Sequence, residues 1–182
     1  MLSKKIFQLS LLIFCIILSN LYADDDVKYI EQNKIDVLLI TDDNYGSSFV
    51  VGDDKIKSIK QQFEEFGWNL IISGVKDTLA PCDWGNQTYG TDKMIVTKKI
   101  SEIKNISEFD AIIVLPGRGF SNILNDIEMI SLLKKANQEG IIIAAWCRGV
   151  QLLAAADIIR GKNVIGHFDY FEEYKAAGGG YK

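Results

Sequence analysis

The chain alternates short, continuous apolar runs with longer segments in which apolar residues recur every three or four positions. Continuous apolar runs bounded by polar residues are typical of strands that are buried on both faces. Such runs stand at 34–41, 68–74, 109–115 and 141–146, with a shorter one at 161–167. The order is β-α-β, an excursion, and then β-α-β-α-β, which predicts a parallel sheet with helices on both faces.

Two helices are predicted where the apolar residues have helical spacing. The first covers 54–67 and the second covers 121–140. An Asp or Ser before such a segment satisfies the first backbone N–H groups, and a Gly after it favours the turn that ends a helix. The helix ends are therefore assigned to Asp53 or Asp54 and Gly67, and to Ser121 and Gly140. The segment 94–103 is expected to hold a further strand, and 75–93 is expected to be irregular.

The start of the chain has the layout of a secretory signal peptide over residues 1–23. Lys4 and Lys5 give a positive start, an apolar core follows, and "SNLYA" supplies a cleavage site after Ala23. The core is too short to span a bilayer, which takes about 20 residues. We therefore predict export to the periplasm or the extracellular space, without stable membrane insertion. The large Leu21, three positions before the cleavage site, leaves an uncleaved anchor as the alternative.

The remainder, residues 24–182, is expected to form one α/β domain. The chain is 48% hydrophobic and 24% charged, with a net charge of −4, which is typical of a globular protein. Mild acidity without a Lys/Arg cluster argues against a nucleic-acid partner. Cys82 and Cys147 are too few to make a disulfide framework, so no bridge between them is expected.

Three segments follow the predicted strands at their carboxyl ends, which is where open parallel sheets bind ligands. They are "TDDNYG" (41–46), "LPGRGF" (115–120) and "AWCRG" (145–149). Cys147 stands where a buried strand turns sharply into a helix, which is the geometry of a nucleophile elbow. The helix start and the neighbouring Arg148 would both favour a thiolate there. The alternative is that Cys147 is a small buried apolar residue.

Carbonyl chemistry at such a cysteine needs backbone N–H groups that stabilise a developing oxyanion. The N–H of Arg148 would lie at the start of the new helix, and the glycine-rich turn offers that of Gly117 or Arg118. No cofactor and no metal ion is predicted.

The stretches "DAIIVLPGRGF", "IIIAAWCRGVQLLAAADIIRGKNVIGH" and "EEYKAAGGGY" together resemble the ThiJ/PfpI family, which belongs to the class I glutamine amidotransferase-like superfamily. The resemblance covers residues 34–182 and is best from residue 109 on. It implies a flavodoxin-like three-layer α/β sandwich with a central, mostly parallel sheet. It also implies that Cys147 is the nucleophile of the elbow.

Four features of the sequence depart from the family pattern. Arg148 stands where PfpI-type proteases have a histidine, and a guanidinium cannot act as a base. The single histidine, His167, follows a short strand at a place that the family does not use for catalysis. The family's glutamate at the first helix is absent, so the acidic partner is assigned to Asp54, or to Asp53, where helix capping is an equal explanation. The family's last strand and closing helix would follow Lys182, so the chain resembles a truncated member.

The leader and the resemblance together imply an exported cysteine-dependent hydrolase, or a carbonyl-processing enzyme of the glyoxalase or deglycase type. Its substrate would be a small molecule or a peptide, and a homodimer is expected because family members often dimerise. Two alternatives stay open. One is a non-catalytic domain in which Cys147 senses oxidants or lines a ligand pocket. The other is an inactive, truncated relic.

Overall fold

The computed structural model describes residues 35–46, 58–82, 94–118 and 120–181. The strands in these residues are β1 (Asp36–Ile40), β2 (Asn44–Gly46), β3 (Asn69–Ser73), β4 (Thr78–Cys82), β5 (Met94–Ile95), β6 (Ala111–Val114), β7 (Ile142–Ala145), β8 (Asn163–Val164) and β9 (Gly180–Tyr181). The α-helices are α1 (Ile59–Glu65), α2 (Ile127–Gln138), α3 (Val150–Ala155) and α4 (Phe171–Ala176). Short 3-10 turns occupy Ile100–Glu102, Ile106–Glu108 and Phe168–Tyr170. The predicted leader lies outside the described residues.

The central sheet consists of four parallel strands in the order β3-β1-β6-β7. Leu38 of β1 lies between Ile71 of β3 and Ile112 of β6, and Ile112 in turn lies beside Ile143 of β7. Counted along the chain, the four strands have the order 2-1-3-4, which is the order of a flavodoxin-like sheet. The predicted fold class is therefore confirmed.

Alternate residues of β1 and β6 point to opposite faces of the sheet and contribute to two apolar cores. Leu38 and Ile112 belong to the core under α2, α3 and α4. Val37 and Ile113 belong to the core on the other face, which α1 and the small sheet of β2, β4 and β5 cover. All four residues are at most 2% exposed, so the sheet is the middle layer of three.

The small sheet departs from the sequence prediction. The strand expected in 94–103 is only Met94–Ile95, which pairs antiparallel with β4 and not with the central sheet. The segment 75–93, expected to be irregular, contributes β4. That strand contains Pro81. Because proline has no backbone N–H to donate to a sheet, its presence argues against a strand when only the sequence is considered.

The first helix begins later than predicted, after Ser58. The Ser58 hydroxyl oxygen accepts the backbone N–H of Gln61, and the Gln61 side chain accepts the backbone N–H of Ser58. This reciprocal pair is a capping box, and it replaces the predicted aspartate cap. Asp53 and Asp54 lie outside the described residues.

The second helix also begins later than predicted. Residues 121–125 form a turn, and the cap is Asp126, whose carboxylate accepts the N–H of Met129 at 3.0 Å, rather than Ser121. The predicted ends of both helices are confirmed, because Gly67 and Gly140 adopt φ values of +72° and +75°. A glycine adopts this conformation without the penalty that a side chain would add.

The last central strand, β7, pairs only with β6 within the described part of the chain. All four of its residues are partly exposed, whereas β6 is buried throughout. The strand predicted in 161–167 does not extend the central sheet, because β8 pairs in parallel with β9. Beyond β8, Gly166 forms a single parallel bridge with Cys147. None of the helices that the structure describes is long and apolar enough to cross a membrane.

Candidate active site

The three segments predicted to share one edge of the central sheet meet there. The N–H of Gly46 donates to the carbonyl oxygen of Pro116 at 2.6 Å, which joins the first segment to the second. The Arg148 side chain donates through Nη1 to the carbonyl oxygen of Arg118, which joins the third segment to the second. The carboxyl edge of the sheet is therefore one connected surface.

Cys147 lies on that surface, at the junction of β7 and α3. Its φ is +52°, a left-handed conformation that costs a residue with a Cβ about 1–2 kcal/mol. Its carbonyl oxygen accepts the N–H of Val150 at 3.4 Å and the N–H of His167 at 3.1 Å. The thiol is free and the residue is partly exposed. The surrounding hydrogen bonds thus hold a cysteine in a conformation that it does not prefer, as in a nucleophile elbow.

Gly149 allows the elbow to lie against the neighbouring strand. A Cβ at this position would stand 2.6 Å from the carbonyl oxygen of Val114 and 3.1 Å from that of Trp146. The N–H of Gly149 donates to the same Trp146 oxygen at 3.0 Å, and α3 begins at the next residue. Only glycine permits this approach, so Gly149 keeps Cys147 close to the end of β6.

Asn44 secures the glycine-rich turn, a role that the sequence analysis did not assign. Its Oδ1 accepts the N–H of Arg118 at 2.6 Å, and a Cβ on Gly117 would stand 2.6 Å from that oxygen. Its Nδ2 donates to Asp43 Oδ1 at 2.6 Å, which fixes the end of the amide that faces Arg118. The N–H of Arg118, a predicted oxyanion donor, is therefore already bonded within the protein.

Asp43 is the charged support of that amide. Its pKa is lowered from the ordinary value mainly by the hydrogen bond from Lys76 Nζ at 3.0 Å, and then by the hydrogen bond from Asn44. The carboxylate is therefore ionised at neutral pH and is a strong acceptor for the Asn44 amide.

A buried carboxylate ties the end of β1 to the turn after β6. Asp42 is 1% exposed, and its two oxygens accept the backbone N–H of Asn122 at 2.9 Å and Asn122 Nδ2 at 2.7 Å. The neighbouring Thr41 is also buried, and its hydroxyl donates to the carbonyl oxygen of Asn44. Both polar groups are bonded, as buried polar groups require, so their role is to position the loops.

Arg148 connects the elbow to two other turns. In addition to the Arg118 carbonyl, its guanidinium lies 3.8 Å, through Nη2, from the Asp169 carboxylate. The same group lies over the Tyr170 ring, 5.8 Å from its centroid. A guanidinium holds its charge and donates only, so this side chain can position both turns but cannot take up a proton. The role of the Arg148 backbone N–H toward an oxyanion stays a prediction.

His167, the single histidine of the chain, lies beside the elbow. Its backbone N–H donates to the Cys147 carbonyl, and its side chain is 14% exposed. The Nδ1 atom lies 3.4 Å from Asp169 Oδ2 and accepts the Asp169 N–H at 3.3 Å. The ring stacks on Phe168 with a centroid distance of 4.6 Å. Although the sequence assigned His167 no catalytic place, the fold brings its backbone, and with it the turn that carries Asp169, next to the elbow cysteine.

Other predicted features lie elsewhere or stay predictions. Asp54 lies outside the described residues, so its role as an acidic partner stays a prediction, as does that of the Gly117 N–H. Within the described ranges, no three His, Cys, Asp or Glu side chains are grouped in a way that could hold a metal ion.

Sequence reasoning missed Asn44, Asp42, Asn122 and Asp169. These residue types are common in loops, but Asp42 pairs with Asn122 80 positions away and Asn44 pairs with Arg118 74 positions away. Asp169 pairs locally with His167 and also with the more distant Arg148. The available signal was the density of short polar residues in "TDDNYG", directly after a buried strand.

Comparison with known proteins finds solved structures that have a similar fold. The structure is similar to a ThiJ/PfpI domain protein from Brachyspira murdochii, with a TM-score of 0.67 and 19% identity over 82% of this chain and 80% of that chain. It is similar to the putative protease I from Bacteroides thetaiotaomicron, with a TM-score of 0.61 and 19% identity over 82% of each chain. Toxoplasma gondii DJ-1 in an oxidized form gives a TM-score of 0.59 and 19% identity, over 80% of this chain and 74% of that chain.

At these identities the likeness of the structures shows the fold alone, and no curated protein matches the chain. The sequence profile of the DJ-1/PfpI family, however, matches residues 58–182, which is more than half of the chain. That match includes α1, the glycine-rich turn, the elbow and the turn that carries His167. The chain therefore belongs to the DJ-1/PfpI family.

Proposed function

We propose that this chain is a cysteine-dependent enzyme that attacks a small carbonyl or amide compound through Cys147. The observation that carries the proposal is the φ of +52° at Cys147, at the edge where three loops meet. Strained conformations of this kind cluster at functional sites, because the surrounding structure must hold them in place. A cysteine that only filled space would give no reason for the strain.

In the proposed reaction the Cys147 thiol gives its proton to Nδ1 of the His167 imidazole, the ring nitrogen whose lone pair accepts the Asp169 N–H, and the sulfur forms a bond to the carbonyl carbon. The carbonyl oxygen gains the electron pair and faces the backbone N–H groups of Arg148 and Gly117. Arg118 is a weaker choice of donor because its N–H already donates to Asn44. For an amide, the imidazolium then gives its proton to the amide nitrogen, the C–N bond breaks and the amine leaves. For an α-oxoaldehyde, the hydrogen on the hemithioacetal carbon moves, by way of an enediol, to the neighbouring carbonyl carbon, which becomes an alcohol. Both routes give a thioester on Cys147, which water hydrolyses.

His167 is proposed as the base on three grounds. Its backbone contacts Cys147 directly, at 3.1 Å. Imidazole is the side chain that gains and loses a proton near neutral pH, whereas the guanidinium of Arg148 does not. The Asp169 carboxylate, 3.4 Å from Nδ1, would stabilise the imidazolium that forms.

The test is turnover of methylglyoxal, followed by its disappearance, and of a chromogenic amide, followed by amine release. Cys147→Ser is expected to abolish turnover, and His167→Gln is expected to lower kcat by about a hundredfold, as the loss of a general base does. Cys82→Ser is the matched control and should keep full activity. Turnover by the Cys147→Ser protein at the wild-type rate, or no turnover of either substrate by the wild type, would overturn the proposal.

A second candidate function is reversible oxidation of Cys147. It is favoured by the free and partly exposed thiol, and by the similarity to Toxoplasma gondii DJ-1, whose structure is of the oxidized protein. Mild peroxide followed by intact mass and peptide mapping distinguishes the two functions. Addition of oxygen at Cys147 alone, reversed by a thiol and without turnover of either substrate, would favour sensing over catalysis. No addition of oxygen at Cys147 would reject the sensing function.

We also propose that the protein is exported. The support is the pattern of residues 1–23, a positive start followed by an apolar core and a small residue before the cut. Expression of the full chain, fractionation of the cells and N-terminal sequencing would test this. A mature chain that begins at Asp24 outside the cytoplasm supports export, and an intact chain in the cytoplasm rejects it.

A homodimer is proposed as well. The support is the partly exposed strand β7 with Ile165 and Phe168 nearby, which are 74% and 73% exposed. Exposed apolar surface next to a sheet edge favours association. Sedimentation of the wild type and of Ile165→Lys is the test. A dimer that the lysine weakens supports the proposal, and a wild-type monomer at all concentrations rejects it.

A further inference from the structure

Tyr174, on α4, carries a buried hydroxyl that the proposed mechanism does not use. The residue is fully buried, and its Oη has no hydrogen-bond partner among the described residues. Burying a hydroxyl without a partner is unfavourable, because the group loses its hydrogen bonds to water. A leucine or phenylalanine would fill an apolar core without this penalty. The hydroxyl therefore calls for an explanation other than packing.

The phenol lies directly against the chain that holds the elbow. A Cβ on Gly166 would stand 2.6 Å from Tyr174 Cζ and 2.7 Å from its Oη, so only glycine fits there. Gly166 forms the parallel bridge with Cys147, and the next N–H along the chain, that of His167, donates to the Cys147 carbonyl. The hydroxyl is thus next to the residue that pairs with the cysteine.

The electrostatics agree with this position. Burial raises the pKa of Tyr174 to about 12, and the nearby backbone N–H of His167, whose well-formed hydrogen bond is to the Cys147 carbonyl oxygen, partly opposes that rise. Negative charge on the ionised forms of the facing groups adds to it, and those groups are Glu173, Cys147 and Tyr170. The Tyr174 hydroxyl therefore stays protonated, and stays a donor, over the pH range in which a cysteine ionises.

We propose that the Tyr174 hydroxyl donates a hydrogen bond to the Cys147 thiolate and thereby favours the ionised nucleophile. This inference rests on the proposed function, in which Cys147 is the attacking group. A neutral thiol is a weak acceptor and an anion is a strong one, so the bond forms as charge appears on sulfur. Hydrogen bonds at active sites often shorten only when that charge develops. Ionisation of Cys147 thus gives the buried hydroxyl the partner that it lacks.

The test compares wild type, Tyr174→Phe and Tyr170→Phe. For each protein the rate of iodoacetamide modification at Cys147, identified by peptide mass, is measured against pH, and Tm is measured separately. Tyr174→Phe is expected to move the midpoint of the pH profile up by about one unit, so that modification at pH 7 slows about tenfold. Its Tm should equal or exceed that of the wild type, since an unpartnered hydroxyl has been removed. Tyr170→Phe, the matched control, should change neither quantity.

The outcomes separate this inference from the proposed function. If native wild-type Cys147 reacts no faster than the same residue in the unfolded chain, the proposed nucleophile fails and this inference fails with it. If the wild type is fast and Tyr174→Phe has the same midpoint, the hydrogen bond is overturned while the nucleophile stands. A lower Tm for Tyr174→Phe would show that the hydroxyl already has a stabilising partner in the folded protein, and it would overturn the premise that the Cys147 thiolate supplies the missing one.

Discussion

Cys147 and Asp157 lie at opposite ends of α3 and have the same φ of +52°, but for different reasons. Asp157 follows the last turn of α3, where a left-handed residue commonly ends a helix and where aspartate is among the side chains that tolerate it. Cys147 precedes the same helix, where a left-handed residue is not needed to begin a helix. Its φ is held by contacts from other parts of the chain, from Gly166, His167 and the end of β6.

The left-handed conformation has a local cause at Asp157 and a tertiary cause at Cys147. At Asp157 the turn itself supplies the cause, and the side chain is exposed and paired with Arg160 at 2.8 Å. At Cys147 the fold imposes a costly conformation on a partly exposed thiol. Variants that loosen the tertiary contacts should therefore affect Cys147 and leave Asp157 unchanged.

The largest effect is expected from Gly149→Ala. The new Cβ would stand 2.6 Å from the Val114 carbonyl oxygen, so the elbow must move away from β6. We expect a loss of about 3 kcal/mol in the free energy of unfolding, measured by urea denaturation, together with slower alkylation of Cys147. The control is Gly140→Ala, where a Cβ meets nothing within 4 Å and only the φ of +75° is unfavourable. That variant should lose about 1 kcal/mol. Equal losses for the two variants would contradict the close approach.

Glycine and alanine at positions 147 and 157 measure the strain directly. Both replacements remove the original side chain, so their difference reports the left-handed backbone. We expect glycine to be more stable than alanine by about 1 kcal/mol at each position. Ala155→Gly, at an exposed site within α3, should show the opposite order, with glycine about 1 kcal/mol less stable. An advantage for alanine at 147 would mean that the cysteine is not strained.

The buried phenol near the elbow should make the fold sensitive to alkali. The pKa of Tyr174 is about 12 in the folded state against 10.0 ordinarily, so the unfolded chain releases this proton first. The corresponding stability is fully present below pH 10 and is lost as the pH rises toward 12. Tyr174→Phe should therefore lose less stability than the wild type between pH about 8 and about 11, measured by urea unfolding. An identical decline in both proteins would show that Tyr174 ionises normally.

The smallest effect is expected from Lys76→Ala, which removes the hydrogen bond to Asp43. The pKa of Asp43 should return toward its ordinary value, and the free energy of unfolding at neutral pH should fall by about 0.5 kcal/mol or less, as for an exposed ion pair. Since the folded pKa of Asp43 is lowered, this contribution is present at neutral pH and is lost as the pH falls through that pKa. Carboxyl NMR titration gives the pKa. A loss as large as that of Gly149→Ala would show that the Lys76–Asp43 support of Asn44 is as important to stability as the elbow contact.

Periodicity and apolar runs are local properties, so they predicted the central sheet, its layers and the ends of the helices at Gly67 and Gly140. Helix starts were predicted less well, because Ser58 and Asp126 compete with nearby Asp and Ser residues that have equal capping tendency. The elbow at Cys147 followed from a strand that turns into a helix. The pairing of Asn44 with Arg118 depends on contacts 74 positions apart, which no local pattern encodes.

Whether Cys147 is an activated nucleophile is tested by the rate of its modification with iodoacetamide at neutral pH, measured in the native protein and in urea. Peptide mass identifies the modified cysteine and keeps the other thiols apart. If the elbow holds the thiol at the edge of the sheet and favours its ionisation, we expect faster modification in the native state than in the unfolded chain. Slower modification in the native state would mean that Cys147 is ordinary packing and that this edge of the sheet is not an active site.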